Sequence, residues 1–178
     1  MDQFYEETLS STEIFNGKII RLRVDTVRLP DGKQSTREIV EHRGAVAMTA
    51  LTENREVVMV KQYRKPLESV TLEIPAGTLE IGEEPLACAQ RELMEETGIV
   101  AEEWKPLFTY YSAPGFCTEK LYLFEARVLK FTTQNLDPDE KVQIVMIPLE
   151  EALKMVTNGE IRDGKSIIGI LSTAYLNV

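Results

Sequence analysis

Three glutamates, Glu92, Glu95 and Glu96, stand at i, i+3 and i+4 within Pro85–Thr97. On a helix they share one face, within an arc of about 100°. Like charges at these spacings oppose one another by about 0.2–0.5 kcal/mol per pair, and Arg91, four residues before Glu95, offsets part of that. A helix that gathers carboxylates instead of alternating signs suits a divalent, oxygen-seeking cation. Mg²⁺ in particular bridges carboxylates to phosphate oxygens. A solvated acidic face is the other reading of any glutamate cluster, so the flanking residues must decide.

The elements that would position these groups can be read from the pattern. Pro85 suits the first turn of a helix and Gly98 the residue just past its end. Leu86, Ala89 and Leu93 form an adjoining face that can pack on a sheet. Before the helix the chain is strand-like. Lys18 to Leu29 alternates, Pro30-Asp31-Gly32-Lys33 is a turn, and Ser35 to Glu41 returns as a hairpin strand. Gly44 to Leu51, Glu56 to Tyr63 and Val70 to Ile74 are further expected strands. After the helix, Leu107 to Tyr111, Lys120 to Leu129 and Gln143 to Pro148 read as strands. Leu149 to Asn158 and Ser166 to Asn177 read as helices, with Gly159 stopping the first. Strands and helices mix without a regular βαβ period, which predicts an α+β chain with a mixed sheet. A β-rich extension over 1–45 and a main domain over 46–178 are expected.

Composition narrows the function classes. The 178 residues carry 20 Lys+Arg against 29 Asp+Glu, a net charge of −9. A chain this acidic is a poor general binder of nucleic-acid backbones, yet metal ions can bridge it to an anionic substrate. One histidine (His42) excludes histidine-rich zinc sites, and two cysteines make no disulfide framework. Residues 1–30 show no basic start followed by an apolar run, and no stretch reaches about 18 apolar residues. A cytoplasmic protein with no membrane and no nucleic-acid partner is the expectation.

The flanks of the glutamate cluster settle its reading. Gly77, Glu83, Arg91, Glu92, Leu93, Glu95, Glu96, Gly98 and Ile99 occupy every fixed position of G-x5-E-x7-R-E-U-x-E-E-x-G-U, with U aliphatic. A chance match has a probability on the order of 10⁻⁹ per start position at ordinary residue frequencies. The segment resembles the Nudix box. The resemblance implies a Nudix fold, an α/β/α sandwich around a mixed sheet with an N-terminal antiparallel β extension. It also implies Mg²⁺-dependent hydrolysis (Mn²⁺ as a substitute) of a nucleoside diphosphate joined to another group. In that frame the Ala76 carbonyl, Glu92 and Glu96 hold metal, Arg91 orients Glu95, and Glu83 supports the loop.

Three further stretches resemble the ADP-ribose pyrophosphatase subfamily. They are Gln62-Tyr63-Arg64, Glu73-Ile74-Pro75-Ala76-Gly77 and the loop Ser112-Ala113-Pro114-Gly115-Phe116-Cys117-Thr118-Glu119. The resemblance implies that Arg64 contacts substrate phosphate, a task suited to its forked donors. It implies that Thr78, Ala113, Pro114, Gly115 and Glu119 lie on the substrate side, Glu119 toward the terminal ribose. It implies that Arg43, with His42, contacts substrate near a dimer seam, and Ile19 and Arg37 stand where some relatives place stronger aromatic platforms for the adenine. The N-terminal part is expected to be exchanged in a homodimer. The general base should sit on the acidic loop Leu136–Lys141, with Glu140, also a candidate metal ligand, ahead of Asp139. Hydrolysis of ADP-ribose to AMP and ribose 5-phosphate is the leading expectation. A Nudix hydrolase of nucleotide sugars, or a non-enzymatic domain that senses ADP-ribose, are the alternatives.

Overall fold

The computed structural model describes residues 3–134 and 141–176. By contacts the chain forms two compact units, Met1–Gly44 with Tyr111–Lys120, and Ala45–Tyr110 with Leu121–Val178.

The first unit is an antiparallel sheet of β1 (Glu7–Asn16), β2 (Ile20–Arg28) and β3 (Gln34–His42), in that order. The β2–β3 hairpin keeps one register from Ile20↔His42 to Arg28↔Gln34 and turns at Gly32, whose φ of 86° favours glycine. Strand β1 was not expected. Its sequence, ETLSSTEIFN, is exposed along almost its whole length and so lacks the alternation of a half-buried strand. Ion pairs tie it to β2, Arg28 to Glu7 and Arg21 to Glu13. The Pro-Gly loop also belongs to this unit. The Val40 amide donates to the Phe116 carbonyl (2.8 Å), the Thr118 amide to the Val40 carbonyl (2.9 Å), and the His42 amide to Thr118 Oγ1 (2.9 Å).

The second unit is built on β4 (Ala45–Ala50), which lies parallel to β9 (Lys120–Phe131) and antiparallel to β7 (Ala76–Thr78). With β8 (Ile99–Tyr111) these strands form a mixed sheet in the order β7-β4-β9-β8. All of β4 is buried, so it reads as an unbroken apolar run. Ala45 and Ala47 face a core completed by Ile161 and Ile170. Val46, Met48 and Ala50 face another completed by Cys88, Ala89 and Leu93. The two cores put α2 (Leu149–Thr157) and α3 (Gly164–Tyr175) on one face and α1 (Pro85–Thr97) on the other, the α/β/α layering expected. An antiparallel sheet of β10 (Val142–Pro148), β5 (Glu56–Arg64) and β6 (Ser69–Glu73) completes the unit.

Helix α1 starts at Pro85 and closes on Gly98, whose left-handed φ of 65° lets its amide reach the Met94 carbonyl. Leu86 remains largely on the surface, and the helix docks from Cys88 onward. Strand β8 starts at Ile99 instead of Leu107. Glu102, Glu103 and Pro106 hide its first half from pattern reading, since proline and paired acids read as strand breakers. Helix α3 begins at Gly164, two residues before the expected start, because Asp163 caps it through the Ser166 amide.

Candidate active site

The glutamate cluster takes its geometry from the pairing of β7 with β4 beneath α1. Ala89 and Leu93 make the inward stripe of α1, and Glu96, three residues beyond Leu93, continues it. Glu96 is therefore 4% exposed, and its Oε2 accepts the Ala76 amide at 3.1 Å. Glu92 lies over the β7 backbone. A Cβ built on Gly77 would sit 1.9 Å from Glu92 Cδ, so only glycine leaves room for that carboxylate.

Arg91 organises the outer side of the cluster. It makes a two-point bond to Glu83, Nε to Oε1 and Nη2 to Oε2, both at 2.9 Å. Its Nη1 reaches Glu92 at 2.8 Å and Glu95 at 3.0 Å. The paired Arg91 guanidinium holds the Glu83 carboxyl down at about 2, and Glu83 in turn raises Arg91 above the usual arginine range. Burial pushes the Cys88 thiol up to about 12, so this sulfur stays protonated near neutrality. Glu83, Glu92, Glu95 and Glu96 against one guanidinium leave an excess of three negative charges.

Among the described residues, no three His, Cys, Asp or Glu side chains converge as a ready-made cation cage. The carboxylates are turned onto Arg91 and the Ala76 amide instead. The donor set nonetheless fits a hard divalent ion. It is all oxygen, with no imidazole and a protonated thiol, and Gly77 leaves the Glu92 carboxylate a place against the strand.

Other expected site residues fall into two groups. Arg64, at the end of β5, donates Nε and Nη2 to the two oxygens of Glu73 at 2.9 and 2.7 Å. Glu96 contributes to the field on Arg64, so the two lie within electrostatic reach. Thr78 ends β7 on the surface. The second group belongs to the first unit. Ile19, His42 and Arg43 line a concavity of about 310 Å³ together with Lys18, Arg21 and Glu41. His42 Nδ1 accepts the Gly44 amide at 3.1 Å, which leaves the proton of the neutral ring on Nε2. Glu119 Oε1 stands 3.6 Å from the same Nδ1. Ala113, Pro114 and Gly115 form a turn closed by the Phe116 and Cys117 amides on the Ala113 carbonyl. Asp139 and Glu140 lie outside the described residues. The chain leading to them is anchored at the end of α1, where the Thr132 amide donates to the Gly98 carbonyl and the Gln134 side-chain amide to the Glu96 carbonyl.

Two residues of this neighbourhood had no role assigned from sequence, Glu73 and Lys165. A buried acid just before Ile74-Pro75-Ala76-Gly77 is visible in sequence as a polar residue ending an apolar strand. Nothing local marks Lys165, ninety-two positions away from its partner Glu73.

Comparison with known proteins agrees with this architecture. The NUDIX domain family matches residues 41–167, and the nucleoside diphosphate sugar hydrolase N-terminal domain matches residues 6–40. The chain belongs to the Nudix family of hydrolases, enzymes that generally need a divalent metal ion. It is 46% identical to an ADP-ribose pyrophosphatase of Bacillus subtilis (strain 168), over 96% of this chain and 93% of that one. It is 45% identical to a methanol dehydrogenase activator of Bacillus methanolicus, over 94% of this chain and 91% of the relative. A solved structure described as an ADP compounds hydrolase superposes with a TM-score of 0.87 at 18% identity, covering 99% of this chain and 96% of that one, a likeness of fold.

Proposed function

We propose that this protein hydrolyses ADP-ribose to AMP and ribose 5-phosphate with Mg²⁺ as its metal. The observation that carries the reading is the intact glutamate box on α1, in a chain alike along nearly its whole length to an ADP-ribose pyrophosphatase. The Ala76 carbonyl, Glu92 and Glu96 would hold the metal. When bound, it would neutralise the diphosphate, polarise phosphorus and acidify a water. Arg91 keeps Glu95 and Glu92 in place, and Arg64 offers a phosphate oxygen its Nη1 group, which has no hydrogen-bond partner among the described residues. Glu140, with Asp139 second, takes the proton from the attacking water. His42, Arg43, Ile19 and Glu119 bind the nucleoside and terminal ribose sides, and Thr78, Ala113, Pro114 and Gly115 supply further substrate contacts. Water adds to one phosphorus, the bridging oxygen leaves with the other product, and the protons end on the phosphates and solvent.

We further infer a homodimer in which the N-terminal region is exchanged and completes the partner's site, in a cytoplasmic setting. A second reading, hydrolysis of nucleotide sugars, is favoured by the match of residues 6–40 to a nucleoside diphosphate sugar hydrolase domain. A substrate panel with Mg²⁺, scored by kcat/KM and by AMP release, separates them. The highest value for ADP-ribose supports the first reading, and a higher value for a sugar nucleotide replaces it with the second. Ligand binding with no product release would leave a sensing domain.

A further inference from the structure

The Glu73 carboxylate is 3% exposed and serves four donors. Its Oε1 accepts Arg64 Nε (2.9 Å) and the Thr71 hydroxyl (2.6 Å). Its Oε2 accepts Arg64 Nη2 (2.7 Å) and the ammonium of Lys165 from the first turn of α3. Lys165 also stands 3.0 Å from Asp163 Oδ2, an oxygen already engaged as the cap of α3 through the Ser166 amide. The next residue, Ser166, accepts the Ile74 amide at 2.8 Å. The first turn of α3 is thus stitched to residues 73 and 74, two positions before the Ala76 amide that holds Glu96.

This arrangement has a consequence for Arg64. Glu73 takes its Nε and Nη2, and the Arg64 Nη1 group has no hydrogen-bond partner among the described residues, on a side chain 38% exposed. A guanidinium matched by one carboxylate alone has its charge largely cancelled. A second cation on that carboxylate leaves more of the Arg64 charge for an anion, and a fixed carboxylate fixes the direction in which Nη1 points.

We propose that Lys165 is a positioning residue for substrate phosphate. It anchors Glu73 from α3 and offsets its charge, so that Arg64 presents Nη1 to the diphosphate. The proposal rests on the reading of Arg64 as a phosphate ligand.

The test is steady-state kinetics on ADP-ribose with saturating Mg²⁺, with melting temperature as the check of folding. K165M should raise KM about tenfold and leave kcat within about threefold, the pattern of lost binding shared by ground and transition states. K165Q keeps a donor without the charge and should raise KM as well, and it serves if K165M does not fold. K165R should return KM to within about threefold of the parent. On an R64Q background, K165M should add less than about twofold, since the two act as one unit. Unchanged KM in folded K165M and K165Q, with KM raised in R64Q, overturns the role of Lys165 alone. So does a full multiplicative effect in the double variant. Unchanged KM in R64Q overturns the phosphate assignment of Arg64 itself.

Discussion

Gly77 and Glu92 occupy one space, for a Cβ on the glycine would lie 1.9 Å from the glutamate's carboxyl carbon. The glycine's φ is not left-handed, so alanine meets no backbone strain there and its methyl meets only the end of a flexible side chain. G77A should therefore stay folded, within about 1 kcal/mol of the parent. It should still displace the carboxylate. The Mg²⁺ concentration for half-maximal activity is expected to rise by about tenfold or more, read in a metal titration of AMP release.

Glu96 is the most enclosed of the cluster and is bonded to the Ala76 amide. E96Q keeps the shape and removes the charge. Turnover should fall by about 10³-fold while the circular dichroism spectrum and melting temperature stay close to the parent's. Near-normal turnover would remove Glu96 from the metal assignment.

Acid stability should follow Glu73 and Glu83. Burial pushes the Glu73 carboxyl up, but the Arg64 bond and the charge of Lys165 together bring it down to about 2, where the Arg91 bond also holds Glu83. Both groups hold their protons less tightly folded than unfolded. Their contribution is full above the unfolded carboxylate value and is lost as pH falls from about 5 toward 2. The melting temperature should drop through that window. E73Q should cost about 2–3 kcal/mol near neutrality, because Arg64 and Lys165 lose their shared negative charge and one acceptor oxygen, while Arg64 is partly wetted and Lys165 keeps Asp163. Its acid slope should be shallower than the parent's, with the Glu83 component remaining.

The exposed face of β1 and the proposed exchange of the N-terminal region predict a dimer. Sedimentation equilibrium should return twice the 20.2 kDa chain mass at micromolar protein. A single species at the chain mass would remove the exchange.

The site's scaffold was more legible in the sequence than its edges. Pro85 and Gly98 bracket α1 because proline's pre-set φ and missing amide suit the first turn and glycine accepts the left-handed state at the end. The run from Gly44 to Leu51 announced a strand, and the burial of all of β4 explains why that run is apolar without a break. Strand β1 escaped because exposed polar residues carry no period, and β7 because three residues are too few to show one. Within the site, the spacing of Glu83, Arg91 and Glu95 was informative because one helix and its leading loop set their distances. The bond from Lys165 to Glu73 was not, since it depends on how α3 docks against a bend ninety-two residues earlier.

The loop that closes on β3 carries a timing constraint. Val40 finds its hydrogen-bonding partners at Phe116 and Thr118. On a ribosome adding about 5–20 residues per second, the hairpin emerges roughly 4–16 s before those partners are made. Through that interval the outer edge of β3 stays open to any extended strand nearby, including its counterpart on a neighbouring nascent chain.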